Sequence, residues 1–354
     1  MKKIAESLKS KRKPNVMLVY TGGTIGMVQD IKTNQLKPFN FSHINDQVPE
    51  LKKLDINIST VSFEKPIDSS NMNPEVWVKL ARLIEKNYGK YDGFVILHGS
   101  DTMSFTASAL SFMLENLNKS VILTGSQLPI GTIRTDGKEN LITAIEIAAA
   151  QKEGQPLVPE VCIYFEYRLY RGNRTHKFNS EHFNAFQSPN YPALAEAAVS
   201  IEYNFSHITP VTDKPLRVHY TLDTNIAILK LFPGISKDVV DAVLGIKNLK
   251  ALIIETFGSG NAPTEKWFLD ALKKAIDRGM IIYNVTQCNA GFVKQGRYET
   301  SASLASIGVA GGEDITTEAA ITKLMFLLGN YNSKSEVKKL LQIPMRGELT
   351  LNPS

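Results

Sequence analysis

The chain has 354 residues, of which 43% are hydrophobic and 21% charged, and its formal net charge is +5. Its length favours about two domains, and its composition is that of a globular protein without repetitive or biased tracts. Much of the excess positive charge falls within residues 1–13, which indicates a solvated basic arm rather than the basic stripe of a nucleic-acid-binding protein.

The first half of the chain alternates short β-branched runs with helical patterns, which predicts a parallel α/β architecture. We predict buried strands at residues 16–20, 93–98, 121–124 and 161–165. We predict helices at residues 73–89, 102–118 and 139–150. In the first helix, Asn73 is placed to cap the N-terminus and Pro74 suits the first turn.

The pattern changes after about residue 195, where polar residues and prolines predict a linker or an interdomain excursion. The alternation then resumes, with predicted strands at 225–232, 251–256 and 280–286 and predicted helices at 236–246, 264–279 and 316–329. We therefore predict an N-terminal α/β domain over residues 1–200, a linker over 201–222 and a C-terminal α/β domain over 223–354.

In open α/β sheets, ligands bind beyond the carboxyl ends of the strands, so chemistry is expected just after each predicted strand. The sequence TGGTIG at residues 21–26 directly follows the first strand. Its glycines permit a tight turn and close approach of a ligand, but their spacing matches neither G-x-G-x-x-G nor a P-loop. On its own, the motif fits a structural turn as well as a binding turn.

A second polar motif, His98 to Thr102, directly follows the strand at 93–98. It places the Ser100 hydroxyl and the Asp101 carboxylate at the mouth of the same sheet. Either residue could instead simply cap the following helix.

Three other segments have equally simple alternative interpretations. Lys177 lies in a loop that can be solvated and basic, Asp68 and Ser69 can form a turn and cap, and residues 258–261 can form a flexible turn.

Together these segments point to nucleophilic catalysis. A hydroxyl nucleophile needs activation and a partner for the developing oxyanion. Thr24 offers the hydroxyl, while Ser100, Asp101 and Lys177 offer a hydroxyl–carboxylate–ammonium relay in which a desolvated lysine acts as base. The six histidines show no ligand spacing, and we interpret His98 and His176 as structural or supporting groups. We expect the protein to need no metal and no organic cofactor.

Residues 20–27 and 98–103 resemble the two signature motifs of the bacterial-type L-asparaginases, most of all the cytoplasmic type I group. The resemblance continues in order through residues 123–127, 171–177, 260–263, 285–288 and 346–350. It implies a two-domain asparaginase-like fold, with a larger N-terminal flavodoxin-like parallel-sheet domain and a smaller C-terminal Rossmann-like α/β domain.

The resemblance also implies the reaction. Thr24 would attack the side-chain amide of L-asparagine, ammonia would leave, and water would hydrolyse the β-aspartyl ester to L-aspartate. The family's second triad falls on Ser100, Asp101 and Lys177.

The same resemblance assigns the groups that bind the substrate. Asp101 would hold the α-amino group, and Asp68 and Ser69 would hold the α-carboxylate. Asn261 would complete the pocket of a neighbouring subunit, because these enzymes form intimate dimers and commonly homotetramers that are dimers of dimers.

The chain departs from the family pattern at three places. Ser100 stands where the second motif usually has threonine, which keeps the hydroxyl but frees χ1. Residues 27–39 contain no tyrosine to polarise the nucleophile, and Tyr298 is our candidate for that role. Glu255 aligns with an arginine that binds activating asparagine in some type I enzymes, so we do not expect that control in the same form.

Two alternative functions and the cellular compartment of the protein are indicated by weaker features of the sequence. One alternative is a glutaminase or an amidotransferase subunit, which typically has an N-terminal extension, whereas about 15 residues precede the first strand here. Another is a non-catalytic nucleotide-binding module built on residues 21–26. The basic residues 1–13 are not followed by the apolar run of a secretory signal, and no segment is predicted to span a membrane. Two cysteines far apart in sequence, Cys162 and Cys288, suit a reducing compartment. We therefore expect a cytoplasmic enzyme.

Overall fold

The computed structural model describes residues 12–29, 36–38, 44, 48–296 and 299–351. Its larger sheet contains eight strands. In chain order they are β1 (Asn15–Tyr20), β2 (Asn57–Ser62), β3 (Gly93–Leu97), β4 (Ser120–Thr124), β5 (Val161–Phe165), β6 (Arg168–Arg171), β7 (Ala195–Ala197) and β8 (Ile201–Tyr203).

The strand order across the larger sheet is β8-β7-β6-β5-β4-β3-β1-β2. Strands β2, β1, β3, β4 and β5 are parallel, and β6 to β8 continue the sheet antiparallel. The parallel part has the flavodoxin-like order 2-1-3-4-5, which confirms the predicted fold class. Its switch point lies between β1 and β3, where Tyr20 pairs with Leu97 in register. The two polar motifs therefore leave the sheet side by side.

Three helices cover this sheet, namely α1 (Pro74–Asn87), α2 (Met103–Met113) and α3 (Gly137–Ala149). Alternate side chains of β1 point to opposite faces, so Leu18 packs in the core under α3 while Val19 packs in the core under α1 and α2. Asn73 caps α1 as predicted, since its side chain accepts a hydrogen bond from the Val76 N–H at 3.1 Å.

The smaller sheet contains four parallel strands in sequential order, β9 (Ile226–Lys230), β10 (Ala251–Thr256), β11 (Ile281–Thr286) and β12 (Ala310–Gly311). The helices of this half are α4 (Lys237–Leu244), α5 (Lys266–Asp277), α6 (Glu299–Ser306), α7 (Thr317–Asn330) and α8 (Lys334–Leu341). The predicted parallel α/β architecture of the C-terminal half is confirmed.

The two sheets meet through α2 and α7. On the smaller sheet, Ile254 packs with the α5 face, while Ile253 packs with α7 on the opposite face. The rings of Phe112 and Phe326 stack between α2 and α7, with centroids 6.0 Å apart. Across the described residues, every helix is too short or too polar to traverse a bilayer.

Several boundaries differ from the predictions. The helix predicted at 102–118 ends at Met113, because Leu114–Glu115 instead pairs antiparallel with Arg217–Val218. Strand β2 is not predicted by the sequence pattern, since it is an edge strand of exposed and half-exposed polar and β-branched residues. The remaining short pairings join Met27–Gln29 to Leu36–Pro38, Gln151–Lys152 to Gln155–Pro156, and His176–Lys177 to Phe186–Gln187.

Candidate active site

The turn after β1 packs against the neighbouring polar segments. Thr21 donates to the Leu97 carbonyl through both its N–H at 3.1 Å and its hydroxyl at 2.9 Å. A Cβ built on Gly23, which has φ +90°, would lie 2.6 Å from the Gly99 nitrogen. A Cβ on Gly22, with φ +141°, would lie 2.1 Å from the Ile67 oxygen. Only glycine permits these approaches, so the turn that carries Thr24 is held against both segments.

Thr24 is half-buried and begins a short 3₁₀ turn, Thr24–Gly26, which leads into the strand Met27–Gln29. A phosphate site of the usual kind needs a helix N-terminus after such a turn. The described structure supplies a strand there, which argues against the nucleotide-binding alternative.

Ser100, Asp101 and Lys177 are brought together as predicted. Lys177 Nζ donates to Ser100 Oγ at 2.9 Å and to Asp101 Oδ1 at 2.5 Å. The lysine side chain is 16% exposed, whereas the Asp101 side chain is 64% exposed. The amino group of Lys177 is therefore largely withdrawn from water, while the Asp101 carboxylate stays open to a ligand.

Neither Ser100 nor Asp101 caps α2. The N-cap residue is Thr102, and it makes no side-chain capping bond. Its hydroxyl donates instead to the Ser69 carbonyl at 2.7 Å. The capping interpretation of this motif is therefore wrong, and the motif is joined to the segment before α1.

Asp68 and Ser69, in the segment before α1, lie beside the turns that follow β1 and β3. Asp68 Oδ1 accepts from the Ser70 N–H at 2.9 Å and from the Ser70 hydroxyl at 2.8 Å, and these bonds lower the pKa of Asp68. The turn and cap expected from the simple interpretation are therefore present. Ser69 is buried, and a Cβ on Gly99 would lie 2.6 Å from its Oγ. Ser69 thus faces the turn after β3.

His98 supports that turn from beneath and is fully buried. Burial lowers the pKa of His98 to about 4, so the ring is neutral at physiological pH. The Gly99 carbonyl can only accept, so Nδ1 donates to it at 2.6 Å. Nε2 then accepts from the Thr106 hydroxyl at 2.9 Å, and that hydroxyl accepts from Trp77 Nε1 at 3.0 Å. The chain of hydrogen bonds fixes the tautomer and the Gly99 backbone.

The segment that carries Lys177 is not the solvated basic loop of the simpler interpretation. Arg171 is buried and pairs with Glu160 at 2.6 Å, and Arg174 is buried and pairs with Asp314 at 2.7 Å. Further hydrogen bonds offset the cost of burying these charges, because each guanidinium also donates to a backbone carbonyl and to a threonine hydroxyl. The segment is therefore anchored before it delivers Lys177.

A cavity of about 460 Å³ adjoins the relay and lies between the two sheets. Residues that line it include Asp101, Lys177, His176, Glu255, Glu318 and Cys288. His176 Nδ1 lies 2.6 Å from Glu318 Oε1. Glu255 Oε1 accepts from the Thr317 hydroxyl at 2.8 Å, and Lys230 Nζ lies 3.6 Å from its other oxygen.

Two further site residues were predicted, Asn261 and Tyr298. Asn261 is in a turn of the C-terminal half, where its backbone pairs with that of Phe257 and Gly260 has φ +101°. Tyr298 lies outside the described residues, as do residues 30–35 of the loop after the first motif.

Sequence reasoning did not assign Gln127 or Glu318 to the site. Gln127 Oε1 accepts from Ser100 Oγ at 3.4 Å, and its amide nitrogen donates to the Ser180 and His182 carbonyls. The position of Gln127 just after β4 was an available signal. Glu318 had none, because it is 142 residues from His176. In the described part of the chain, no three His, Cys, Asp or Glu side chains are grouped as metal ligands.

Comparisons with known proteins cover most of the chain. The family model "Asparaginase, N-terminal" matches residues 15–209, and "Glutaminase/Asparaginase C-terminal domain" matches residues 225–341. The sequence is 43% identical to L-asparaginase 1 of Escherichia coli K12, over 96% of this chain and 99% of the relative. It is 32% identical to a glutamyl-tRNA(Gln) amidotransferase component of Pyrococcus abyssi, over 95% of this chain and 77% of that relative.

Among solved structures, L-asparaginase I from Vibrio cholerae matches with a TM-score of 0.88 and 41% identity. That match covers 96% of this chain and 100% of the other.

Proposed function

The chain belongs to the asparaginase family and is an L-asparaginase, and we propose that Thr24 is the nucleophile with which it cleaves the side-chain amide of L-asparagine. The observation that carries the proposal is the contact of Lys177 Nζ with both Ser100 Oγ and Asp101 Oδ1, beside the turn that holds Thr24. The amidotransferase relative is less similar to this chain than the Escherichia coli asparaginase is.

In the proposed reaction, Lys177 acts as the neutral amine. The Thr24 hydroxyl oxygen attacks the amide carbon as its proton passes to Ser100 Oγ, and the Ser100 proton passes to Lys177 Nζ, which becomes an ammonium. The tetrahedral intermediate collapses, the C–N bond breaks, and the leaving nitrogen takes up the proton from Lys177 Nζ through Ser100 Oγ and departs as ammonia, which leaves Lys177 neutral again. A β-aspartyl ester then joins the substrate to Thr24. Water attacks this ester by the same proton route, which releases L-aspartate and restores the hydroxyl.

Substrate binding follows from the charges around the relay. We assign the α-ammonium of asparagine to the exposed carboxylate of Asp101, since charge-assisted hydrogen bonds are the strongest available there. The α-carboxylate is assigned to the Asp68–Ser69 turn through the neutral Ser69 hydroxyl, because the Asp68 carboxylate is bonded to Ser70 and would repel a second negative charge. Glutamine is longer by one methylene, and such a difference is worth roughly 1–3 kcal/mol of discrimination. We expect asparagine to be the preferred substrate.

The proposed nucleophile is tested by ammonia release from asparagine and glutamine. Thr24→Ala should lower kcat by at least about a thousandfold, because it removes the attacking oxygen. Thr24→Ser keeps a hydroxyl and should keep measurable activity. Thr21→Ala is the matched control, since it removes the other threonine hydroxyl of the same motif. If Thr24→Ala retained most of the activity, the assignment of the nucleophile would be wrong.

We further propose that Tyr298 polarises Thr24 and that Asn261 completes the pocket of a neighbouring subunit in a homodimer or homotetramer. A drop in kcat without loss of folding in Tyr298→Phe tests the first assignment. Light scattering combined with activity against protein concentration tests the second. We also place the enzyme in the cytoplasm, which suits Cys162 and Cys288, both unpaired thiols, and fractionation of the source cells would check it.

A further inference from the structure

Lys177 is delivered by a strand of only two residues, His176–Lys177, which pairs with Phe186–Gln187. Neighbouring side chains on a strand point to opposite sides. The Lys177 side chain points to Ser100 and Asp101 on the larger sheet, and the His176 side chain points to Glu318 on α7. The strand that carries the proposed base is therefore held from both sides.

Glu318 depends on His176 for compensation. Its side chain is 7% exposed, and its Oε2 is buried without a hydrogen-bond partner in the described structure. A buried carboxylate is costly unless it is paired. His176 supplies the contact to Oε1, while the position of Glu318 in the first turn of α7 adds the favourable helix dipole.

The surrounding charges favour an ion pair. The hydrogen bond with Glu318 raises the pKa of His176, and the charges of Glu318 and Glu255 act in the same direction against burial. Other charged groups that line the same cavity are Lys177, Lys230 on β9 and Asp101 in the turn after β3. An imidazolium–carboxylate bond is shorter and stronger than a neutral one, so it restrains the strand.

We propose that His176 and Glu318 are positioning residues, which hold the His176–Lys177 strand so that Lys177 Nζ stays against Ser100 and Asp101. This inference rests on the proposed function, in which Lys177 accepts the nucleophile's proton. Neither residue touches the reacting atoms in this scheme. Displacement of a catalytic group by about 1 Å can cost on the order of a hundredfold in rate.

The test is steady-state kinetics of ammonia release from asparagine by the full-length enzyme. His176→Leu should lower kcat by about tenfold or more while KM changes by less than about twofold, because the lysine is displaced but the binding turns are not. His176→Gln retains an N–H that can donate to Glu318 and should restore most of kcat. Glu318→Gln retains the acceptor without the charge and should fall between these two variants.

A matched control separates positioning from general stability. His219 Nε2 lies 2.7 Å from Glu115 Oε2 in another partly exposed histidine–glutamate pair, but this pair joins Arg217–Val218 to the end of α2. His219→Leu should lower the melting temperature and leave kcat unchanged. Equal losses of kcat in His176→Leu and His219→Leu would overturn the proposal, as would a His176→Leu enzyme with wild-type kcat.

The Lys177→Met variant distinguishes the positioning role of His176 and Glu318 from the proposed proton relay. An inactive Lys177→Met enzyme combined with fully active His176→Leu and Glu318→Gln enzymes would overturn the positioning role alone. An active Lys177→Met enzyme would overturn the proposed relay itself, and with it the reason for positioning. If His176→Leu does not fold, the comparison of His176→Gln with Glu318→Gln decides, and wild-type kcat in Glu318→Gln would count against the proposal.

Discussion

His98 lies beneath the turn after β3 and is buried as a neutral ring, which makes stability depend on pH. Burial lowers the pKa of His98 from 6.5 to about 4. Between these values the unfolded chain binds a proton that the folded chain does not, so the free energy of unfolding decreases as pH falls. The shift corresponds to about 3 kcal/mol between pH 7 and pH 4. Urea unfolding of the wild type and of His98→Gln at pH 7 and at pH 4 measures this loss of stability. Between these pH values, the free energy of unfolding of His98→Gln should fall by about 3 kcal/mol less than that of the wild type.

The control for this prediction is His182→Gln, because His182 has an exposed side chain. Its pH dependence should parallel that of the wild type. Parallel curves for wild type and His98→Gln would instead show that the buried ring does not drive the acid sensitivity.

At the level of single residues, the sequence identified the groups that lie next to strands. Ser100 and Asp101 lie in the turn after β3. The sequence predicts that they act together with Lys177, and the structure places the three side chains in contact. The contact of His176 with Glu318 was not, because nothing local to either residue specifies a partner 142 positions away. Long-range pairing of charged side chains depends on how the sheets pack, and a single sequence does not encode that directly.

At the level of elements, the N-terminus of α1 depends on one capping side chain. Asn73 Oδ1 accepts from the Val76 N–H, which lies in the first turn and otherwise has only the Asn73 carbonyl at 3.1 Å as a backbone partner. Asn73→Ala should therefore lower the free energy of unfolding by about 1 kcal/mol, while Asn73→Ser should recover most of the loss. Chemical denaturation measures both variants, and equal stability of Asn73→Ala and wild type would contradict the capping role.

The buried parallel strands were the easiest elements to predict. The runs at 161–165 and 251–256 have the predicted bounds, because a strand covered on both faces contains a run of apolar residues. The first run is bounded by Glu160 and Glu166, and the second passes from apolar residues into Glu255 and Thr256. The edge strand β2 and the short strands β7 and β8 lack that signal, since each has exposed or half-exposed residues on one side. Strand β6 is mostly buried, but it lacks the signal because it contains Arg168 and Arg171. Helix α2 was predicted too long because Leu114 and Glu115 continue its apolar pattern but pair with a distant strand.

On the scale of the whole molecule, residues 346–350 near the C-terminus join the two halves at the segment that delivers Lys177. The Gly347 carbonyl accepts from Arg174 Nε at 2.6 Å, and the Thr350 hydroxyl accepts from Arg174 Nη2 at 2.8 Å. Asn173 Nδ2 donates to the Arg346 carbonyl at 3.0 Å. The segment that carries the proposed base is thus held by contacts between the N-terminal half and residues 346–350, so the position of Lys177 depends on the stability of both halves.

The buried pair Lys323–Glu348 anchors this C-terminal segment to α7, with Nζ and Oε1 2.6 Å apart and both side chains fully buried. Lys323→Met should lower the free energy of unfolding by about 3–5 kcal/mol, because it leaves a buried carboxylate without its counter-charge. Adding Glu348→Gln removes that charge and keeps an acceptor for the Arg346 N–H, so the double variant should be more stable than Lys323→Met alone. Lys266→Met, in a solvent-exposed pair with Asp270, is the control and should change stability by less than about 1 kcal/mol. Equal costs for Lys323→Met and Lys266→Met in denaturant titrations would mean that the buried pair does not hold the segment in place.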